Sequence, residues 1–127
     1  MNLQEILNIG ETSIQYFLVK EEDTAEYIGN KGITVLSTPS MIKYMEITAS
    51  LIIEDLLPRG YRPVGTKINV EHIRPTPVLE KIMVKAVLTA INGNALSYLV
   101  EAFNETEKIG FGLYEQKVID LTRFHNK

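Results

Sequence analysis

Residues 36–53 read LSTPSMIKYMEITASLII. The apolar residues recur at intervals of three and four, which predicts a helix with one face toward a core. Pro39 suits the first helical position and favours an extended conformation at Thr38, which is therefore predicted to be the N-cap. Pro58 and Gly60 end the pattern, so the predicted helix covers residues 39–57. The residues assigned to its core face are Met41, Ile42, Met45, Ala49, Ile52, Ile53 and Leu56.

Segments of strand character surround this helix. A short helix is predicted at residues 3–8 and a polar loop at residues 21–32. Asn92 and Gly93 give the strongest short-range signal for a hairpin. Extended segments are predicted at residues 12–20, 33–36, 62–74, 81–91, 95–103 and 108–119, followed by a polar tail. On the hairpin, the residues predicted to face inward are Ile82, Val84, Ala86, Leu88, Ala90, Leu96, Tyr98, Val100 and Ala102.

One long helix and several antiparallel strands bury the helix only if the sheet curls around it. The predicted fold class is therefore α+β. A length of 127 residues predicts a single domain, residues 1–127.

Composition excludes several classes of function. Cysteine is absent, which excludes disulfides, thiolate catalysis and cysteine-based zinc sites. With His72 and His125 as the two histidines, we expect no metal site. The net charge is −3 and the basic residues are scattered, so we expect no nucleic-acid partner. The N-terminus lacks the features of a secretory signal, and no apolar run reaches the roughly 18 residues of a membrane span. We therefore expect a cytoplasmic protein with no membrane partner.

Three polar residues interrupt these patterns, and each has two interpretations. Glu46 lies at the rim of the apolar face of the helix. It either pairs with Lys43, one turn earlier, or is a partly desolvated carboxylate acting as a base or nucleophile. His72 interrupts the strand-like run VGTKINVEHIRPTP, residues 64–77, as either a core histidine bonded to the backbone or a catalytic group. Capping alone explains Thr38 without any catalysis.

The spacing of these residues adds a resemblance. Glu46 follows Thr38 by eight residues, and His72 follows Glu46 by 26 and precedes RPTP. This order resembles the fluoroacetyl-CoA thioesterase-like family of hot-dog proteins. The resemblance covers about residues 34–124 and includes Val64-Gly65-Thr66, the hairpin, EKIGFGLYEQKVID and TRF.

The resemblance implies a hot-dog fold, in which a curved antiparallel sheet wraps a long central helix. It also implies a homodimer with acyl-CoA sites at the subunit interface. The implied function is an acyl-CoA thioesterase that hydrolyses a small acyl-CoA thioester. Carried over by position, Thr38, Glu46 and His72 become the catalytic set, and Gly65 falls near the thioester. No cofactor is implied, because coenzyme A is part of the substrate, and no metal is implied.

The chain departs from that family at two places. Relatives often carry His-x-Arg on the last strand, where this chain has Tyr114 and Gln116. The segment EYIGNKG, residues 26–32, lacks the aromatic lid expected of the fluoroacetyl-specific enzyme, so that substrate is not transferred.

Two other functions stay open at this level. One is an enoyl-CoA hydratase or dehydratase of the hot-dog fold. Such enzymes usually place the histidine before the helix that bears the acid, whereas here Glu46 precedes His72. The other is a non-catalytic acyl-CoA-binding or regulatory hot-dog protein, an alternative that Gln116 keeps open.

Overall fold

The computed structural model describes residues 2–125. Three helices and five strands follow one another along the chain, and a 3₁₀ turn at Glu21–Asp23 precedes the longest helix. In order they are α1 (Leu3–Ile6), β1 (Thr12–Leu18), α2 (Thr38–Ile53), β2 (Tyr61–His72), β3 (Lys81–Asn92), β4 (Ala95–Phe103), β5 (Lys108–Asp120) and α3 (Leu121–His125).

The five strands form one sheet in the order β1-β3-β4-β5-β2. Every neighbouring pair in it is antiparallel. Strands β1 and β2 lie at the two edges, although β1 precedes α2 in sequence and β2 follows it. The α+β class predicted from the sequence is confirmed.

Helix α2 packs on this sheet through the face that its periodicity predicted. Met41, Met45, Ala49 and Ile53 are fully buried. The helix also buries Tyr44 and Thr48, which the periodicity missed, and the Thr48 hydroxyl donates to the Tyr44 carbonyl at 2.7 Å. Leu56 was wrongly assigned to the core face. The helix ends at Ile53, four residues before the predicted end, and Leu56 is exposed in the turn beyond it.

The central hairpin supplies the other side of the core. All four residues predicted to face inward on β4, Leu96 to Ala102 in alternation, are fully buried. On β3 the prediction fails at Ala90. The pairing of β3 with β4 shifts register between Leu88 and Ala90, so Ile91 takes the buried place instead. One extra residue in a strand reverses which face the following side chains occupy, and the sequence pattern did not show that bulge.

The predicted polar tail begins with a helical turn, since α3 spans Leu121–His125. Its last two residues lie outside the described range. Within residues 2–125, no helix is long and apolar enough to cross a membrane.

Strand β2 runs antiparallel to α2, and contacts mark its path. Arg62 pairs with Glu54 at 3.1 Å near the end of the helix. Gly65 lies against Glu46 in the middle, and His72 meets Thr38 at the helix start. This alignment places each of the predicted site residues along the seam between α2 and β2.

Candidate active site

The start of α2 carries two adjacent hydroxyl groups with different partners. The side chain of Ser37 accepts a hydrogen bond from the backbone N–H of Ser40 at 3.1 Å, which makes Ser37 the N-cap. The prediction that Thr38 caps the helix is therefore wrong, because the first helical turn begins one residue earlier than Pro39 indicated. Thr38 instead places its Oγ1 2.8 Å from Nδ1 of His72. Its hydroxyl is thus available for something other than capping.

His72 lies at the end of β2 with its ring half-buried between the strand and α2. Burial lowers the pKa of His72 below its usual 6.5, and the nearby backbone of Arg74 opposes that shift only in part. The imidazole is therefore neutral at pH 7. Among residues 2–125, its Nε2 is buried without a hydrogen-bond partner. A neutral histidine can accept through one ring nitrogen and donate through the other.

Glu46 is half-buried one helical turn beyond Lys43. Nζ of Lys43 lies 3.2 Å from Oδ1 of Asp23, so of the two interpretations of Glu46 the pairing with Lys43 does not hold. The carboxylate lies over Gly65 on β2 instead. A Cβ atom added to Gly65 would lie 2.7 Å from Oε1 of Glu46 and 2.8 Å from the Tyr114 hydroxyl. Glycine at this position leaves room for both polar groups beside the strand.

Tyr114 and Gln116 on β5, which the sequence singled out only as departures from a family pattern, are buried next to Glu46. Burial raises the pKa of Tyr114 to about 12, and the charge and hydrogen bond of Glu46 add to the shift, while Gln116 opposes it. The Gln116 side chain contacts the hydroxyls of Tyr98, Ser50 and Tyr114 at 2.7, 2.8 and 3.3 Å. The carboxylate of Glu46 therefore sits at the end of a buried polar network.

The predicted site residues lie in two groups. Thr38 and His72 meet at the N-terminus of α2, beside a cavity of about 240 Å³ that His72 helps to line. Glu46 and Gly65 meet farther along, beside a cavity of about 220 Å³. Eight residues of helix advance about 12 Å, so the two groups stand apart along α2. In the described part of the chain, no hydrogen bond joins Glu46 to either Thr38 or His72.

Comparison with known proteins identifies the family. The sequence model of the family described as fluoroacetyl-CoA-specific thioesterase (FlK) matches residues 19–122. This chain belongs to that family. The predicted family is confirmed, and the chain is a thioester hydrolase.

A curated relative supports membership of the fluoroacetyl-CoA-specific thioesterase family. The fluoroacetyl-CoA thioesterase of Streptantibioticus cattleyicolor is 28% identical, and the match covers 98% of this chain and 94% of that protein. Among solved structures, a variant of the fluoroacetyl-CoA-specific thioesterase in complex with fluoroacetate and CoA has a TM-score of 0.89 at 28% identity. That match covers 93% of this chain and 99% of the other.

A hot-dog-like protein from Thermanaerovibrio acidaminovorans has a TM-score of 0.92 at 20% identity, covering 99% of this chain and 93% of the other. At that identity the likeness shows the fold alone, and the predicted hot-dog fold is confirmed.

One polar contact of α2 gave no signal in the sequence. Asp23 was assigned to a polar loop, yet it is fully buried and accepts a 2.6 Å hydrogen bond from Tyr44. A hydrogen-bond partner 21 residues away cannot be read from local composition. No group of three or more His, Cys, Asp or Glu side chains that could hold a metal ion occurs in residues 2–125.

Proposed function

We propose that this protein hydrolyses a small acyl-CoA thioester, with Thr38, Glu46 and His72 as catalytic residues and Gly65 beside the thioester. Family membership supports the thioesterase chemistry. The complex of a relative with fluoroacetate and CoA supports an acyl-CoA as the substrate class. Fluoroacetate in that complex carries a two-carbon acyl group, which supports a short acyl chain.

The observation that carries this proposal is the 2.8 Å contact between Thr38 Oγ1 and His72 Nδ1. During attack on a thioester, the carbonyl oxygen gains negative charge, and hydrogen-bond donors aimed at it lower the barrier. Ser37 already caps α2, so the Thr38 hydroxyl is free for that role. The positive end of the helix dipole at the same position also favours negative charge.

Glu46 supplies the second half of the chemistry. A carboxylate can attack the thioester carbonyl and form an anhydride as the CoA thiolate leaves, after which water opens the anhydride. It can instead remove a proton from a water molecule that attacks the carbonyl and displaces the CoA thiolate. Both routes require the ionised carboxylate beside the reacting carbon. Gly65 fits the role of a close neighbour because it carries no side chain that would fill the space in front of Glu46.

A second copy of this chain brings the two groups together in this proposal. Within one protomer, the backbones of Thr38 and Glu46 are about 12 Å apart along the helix, and in the described residues no hydrogen bond joins Glu46 to the Thr38–His72 pair. Pairing of two protomers across β2 places the Glu46 of one beside the Thr38 and His72 of the other. The site is then composite, and two equivalent sites form in each homodimer.

The surface of β2 supports this pairing. The strand lies at an edge of the sheet, where its unpaired backbone groups are available to another strand. Val64 and Ile68 on β2, and Ile73 directly after it, are exposed apolar side chains. A second protomer covers them. Sedimentation that shows only a 14.4 kDa species at micromolar concentration contradicts the dimer.

A free-thiol assay with acyl-CoA substrates of increasing chain length tests the activity. We expect release of free CoA to be fastest with short acyl groups and to fall by orders of magnitude in Glu46→Gln, which keeps the shape but removes the charge. Calorimetry with the same substrates measures binding separately from thiol release. Binding without thiol release in the wild-type protein contradicts hydrolysis, and near-normal turnover in Glu46→Gln contradicts the role of Glu46.

Mixed dimers test the composite site. Glu46→Gln and His72→Ala are each expected to be inactive alone. When the two are unfolded together and refolded at equal concentrations, about half of the dimers are heterodimers. Each heterodimer carries one site with all its residues intact, so about a quarter of wild-type activity returns. If both groups act within one protomer, every site stays damaged and no activity returns.

A further inference from the structure

The buried hydrogen bonds around Gln116 fix the direction in which the Tyr114 hydroxyl points. Gln116 is 1% exposed and contacts the hydroxyls of three residues, Tyr98, Ser50 and Tyr114. Its Oε1 can only accept and its Nε2 can only donate. The Tyr98 hydroxyl lies 2.7 Å from Oε1 and therefore donates its proton to Gln116. The amide nitrogen then faces Ser50 and Tyr114.

This orientation determines the role of the Tyr114 oxygen. Since Nε2 of Gln116 donates to it, the oxygen acts as an acceptor in that contact. A phenol has a single proton, which must then point away from Gln116. The neighbouring acceptor is Glu46, since a Cβ atom added to Gly65 would lie 2.7 Å from Oε1 of Glu46 and 2.8 Å from the Tyr114 hydroxyl. A carboxylate is an acceptor suited to that proton.

We propose that Tyr114, oriented by Gln116, is a positioning residue that donates a hydrogen bond to Glu46 and holds its carboxylate against β2 at Gly65. This inference rests on the proposed function, in which Glu46 drives hydrolysis. Tyr114 and Gln116 are both uncharged, and Nε2 of Gln116 lies 3.3 Å from the Tyr114 hydroxyl. The pair gives this chain a neutral support for its carboxylate.

The packing around Tyr114 suits a fixed support. Its ring is 3% exposed and stacks on Tyr98 with centroids 5.9 Å apart. A glutamate side chain has several rotatable bonds, so a rigid donor removes freedom that would otherwise move the carboxylate out of line with the thioester. Misplacement of a reacting group by about 1 Å can cost about 100-fold in rate. The hydroxyl thus acts on the geometry of Glu46 rather than on the substrate.

The first test uses Tyr114→Phe, which removes the hydroxyl and keeps the stacked ring. We expect kcat to fall by about 10- to 100-fold with little change in KM, because the lost group orients Glu46 without binding the thioester. Tyr44→Phe is the control, because it removes the buried tyrosine hydroxyl on α2 that donates to Asp23. We expect it to lower stability but to leave kcat within about twofold. Equal kcat in Tyr114→Phe and wild type overturns the proposal.

Gln116→Glu tests the orientation with nearly the same shape. A carboxylate at 116 cannot donate, so the Tyr114 proton turns toward it and leaves Glu46. We expect kcat to fall as in Tyr114→Phe, and we expect no further fall when the two changes are combined. If the losses in kcat are additive, Gln116 acts by another route, and the proposal that Gln116 orients Tyr114 is overturned.

A titration of Tyr114 tests the contact without any assay of hydrolysis. In wild-type protein we expect a raised pKa for the Tyr114 phenol, first because of burial and in addition because of the neighbouring charge of Glu46. Glu46→Gln removes that charge, so the titration of Tyr114 moves to lower pH. Labelled tyrosine observed by NMR, assigned through Tyr114→Phe, gives the measurement. An unchanged titration overturns the contact, whereas absent thiol release with a shifted titration overturns only the proposed function.

Discussion

Thr38 Oγ1 lies 2.8 Å from Nδ1 of His72, while the hydroxyl of its neighbour, Ser37, caps helix α2. Two adjacent hydroxyl side chains therefore have different partners. Thr38 contacts His72 at the end of β2, and Ser37 caps the helix. This separation allows catalysis and capping to be tested independently. It also removes the capping interpretation that would otherwise have explained Thr38 completely.

Thr38→Val and Ser37→Ala form a matched pair. Thr38→Val keeps the shape but removes the hydroxyl, so we expect kcat to fall about 100-fold with little loss of stability. Ser37→Ala removes the cap, so we expect a loss of about 1 kcal/mol in the free energy of unfolding with kcat close to wild type. Thiol release and urea denaturation measure the two effects. Full activity in Thr38→Val limits Thr38 to a structural role.

The sequence predicted the fold well because its information is local and periodic. The apolar repeat of α2 and the Asn-Gly signal between β3 and β4 each depend on a few neighbouring residues. The bulge between Leu88 and Ala90 could not be predicted, since it depends on the pairing with β4. The end of α2 was overestimated because Leu56 continues the apolar repeat after the helix has ended.

The residues of the candidate site also differ in whether local sequence patterns could identify them. Thr38, Glu46 and His72 were singled out because each interrupts a local pattern or fits a spacing. The hydrogen bonds of Gln116 connect β5 to β4 and α2, and those of Asp23 connect a loop to α2. Long-range polar contacts of this kind leave no periodic trace in a sequence.

The lowered pKa of His72 gives a prediction about stability and pH. Burial lowers this pKa, so between its value in the folded protein and 6.5 the unfolded chain binds more protons than the folded one. The contribution of His72 to the free energy of unfolding is therefore largest above pH 6.5 and falls as the pH is lowered. We expect the difference between wild type and His72→Gln in urea denaturation to be greater at pH 8 than at pH 5. A difference that grows toward acid pH contradicts this assignment.

Asp23 gives a pH dependence of the same direction in a more acidic range. Burial alone raises its pKa, but hydrogen bonds from Tyr44 and the Lys20 backbone, with Lys43, outweigh burial and lower the pKa below 3.8. The folded state then binds fewer protons than the unfolded state only in strong acid, so the stabilisation is complete above about pH 4 and is lost below it.

We expect Asp23→Asn to cost about 1–3 kcal/mol at pH 7, because Asn lacks the charge that strengthens these hydrogen bonds. Chemical denaturation between pH 7 and pH 2.5 should show this cost shrinking with acid. Asp55→Asn, in the exposed turn after α2, is the control and should cost little at either pH. An equal loss in the two variants contradicts the anchoring role of Asp23.

Gly65 provides a test of how closely Glu46 is held against β2. A methyl group there would lie 2.7 Å from Oε1 of Glu46 and 2.8 Å from the hydroxyl of Tyr114. The Tyr114 ring is buried and fixed, so the longer and more flexible Glu46 side chain must move. We expect Gly65→Ala to lower kcat by about 10-fold or more while stability holds, since β2 is exposed at this point.

A double-mutant cycle with Glu46→Asp shows whether the loss passes through the carboxylate. Aspartate is shorter by one methylene group and withdraws from the space that the methyl group occupies. If Gly65→Ala acts by displacing Glu46, adding it to Glu46→Asp costs much less than adding it to wild type, and the two effects are not additive. Asn69→Ala, exposed on the same strand, controls for changes to β2 itself. Additive losses in the cycle show that Gly65 serves the reaction by some route other than its contact with Glu46.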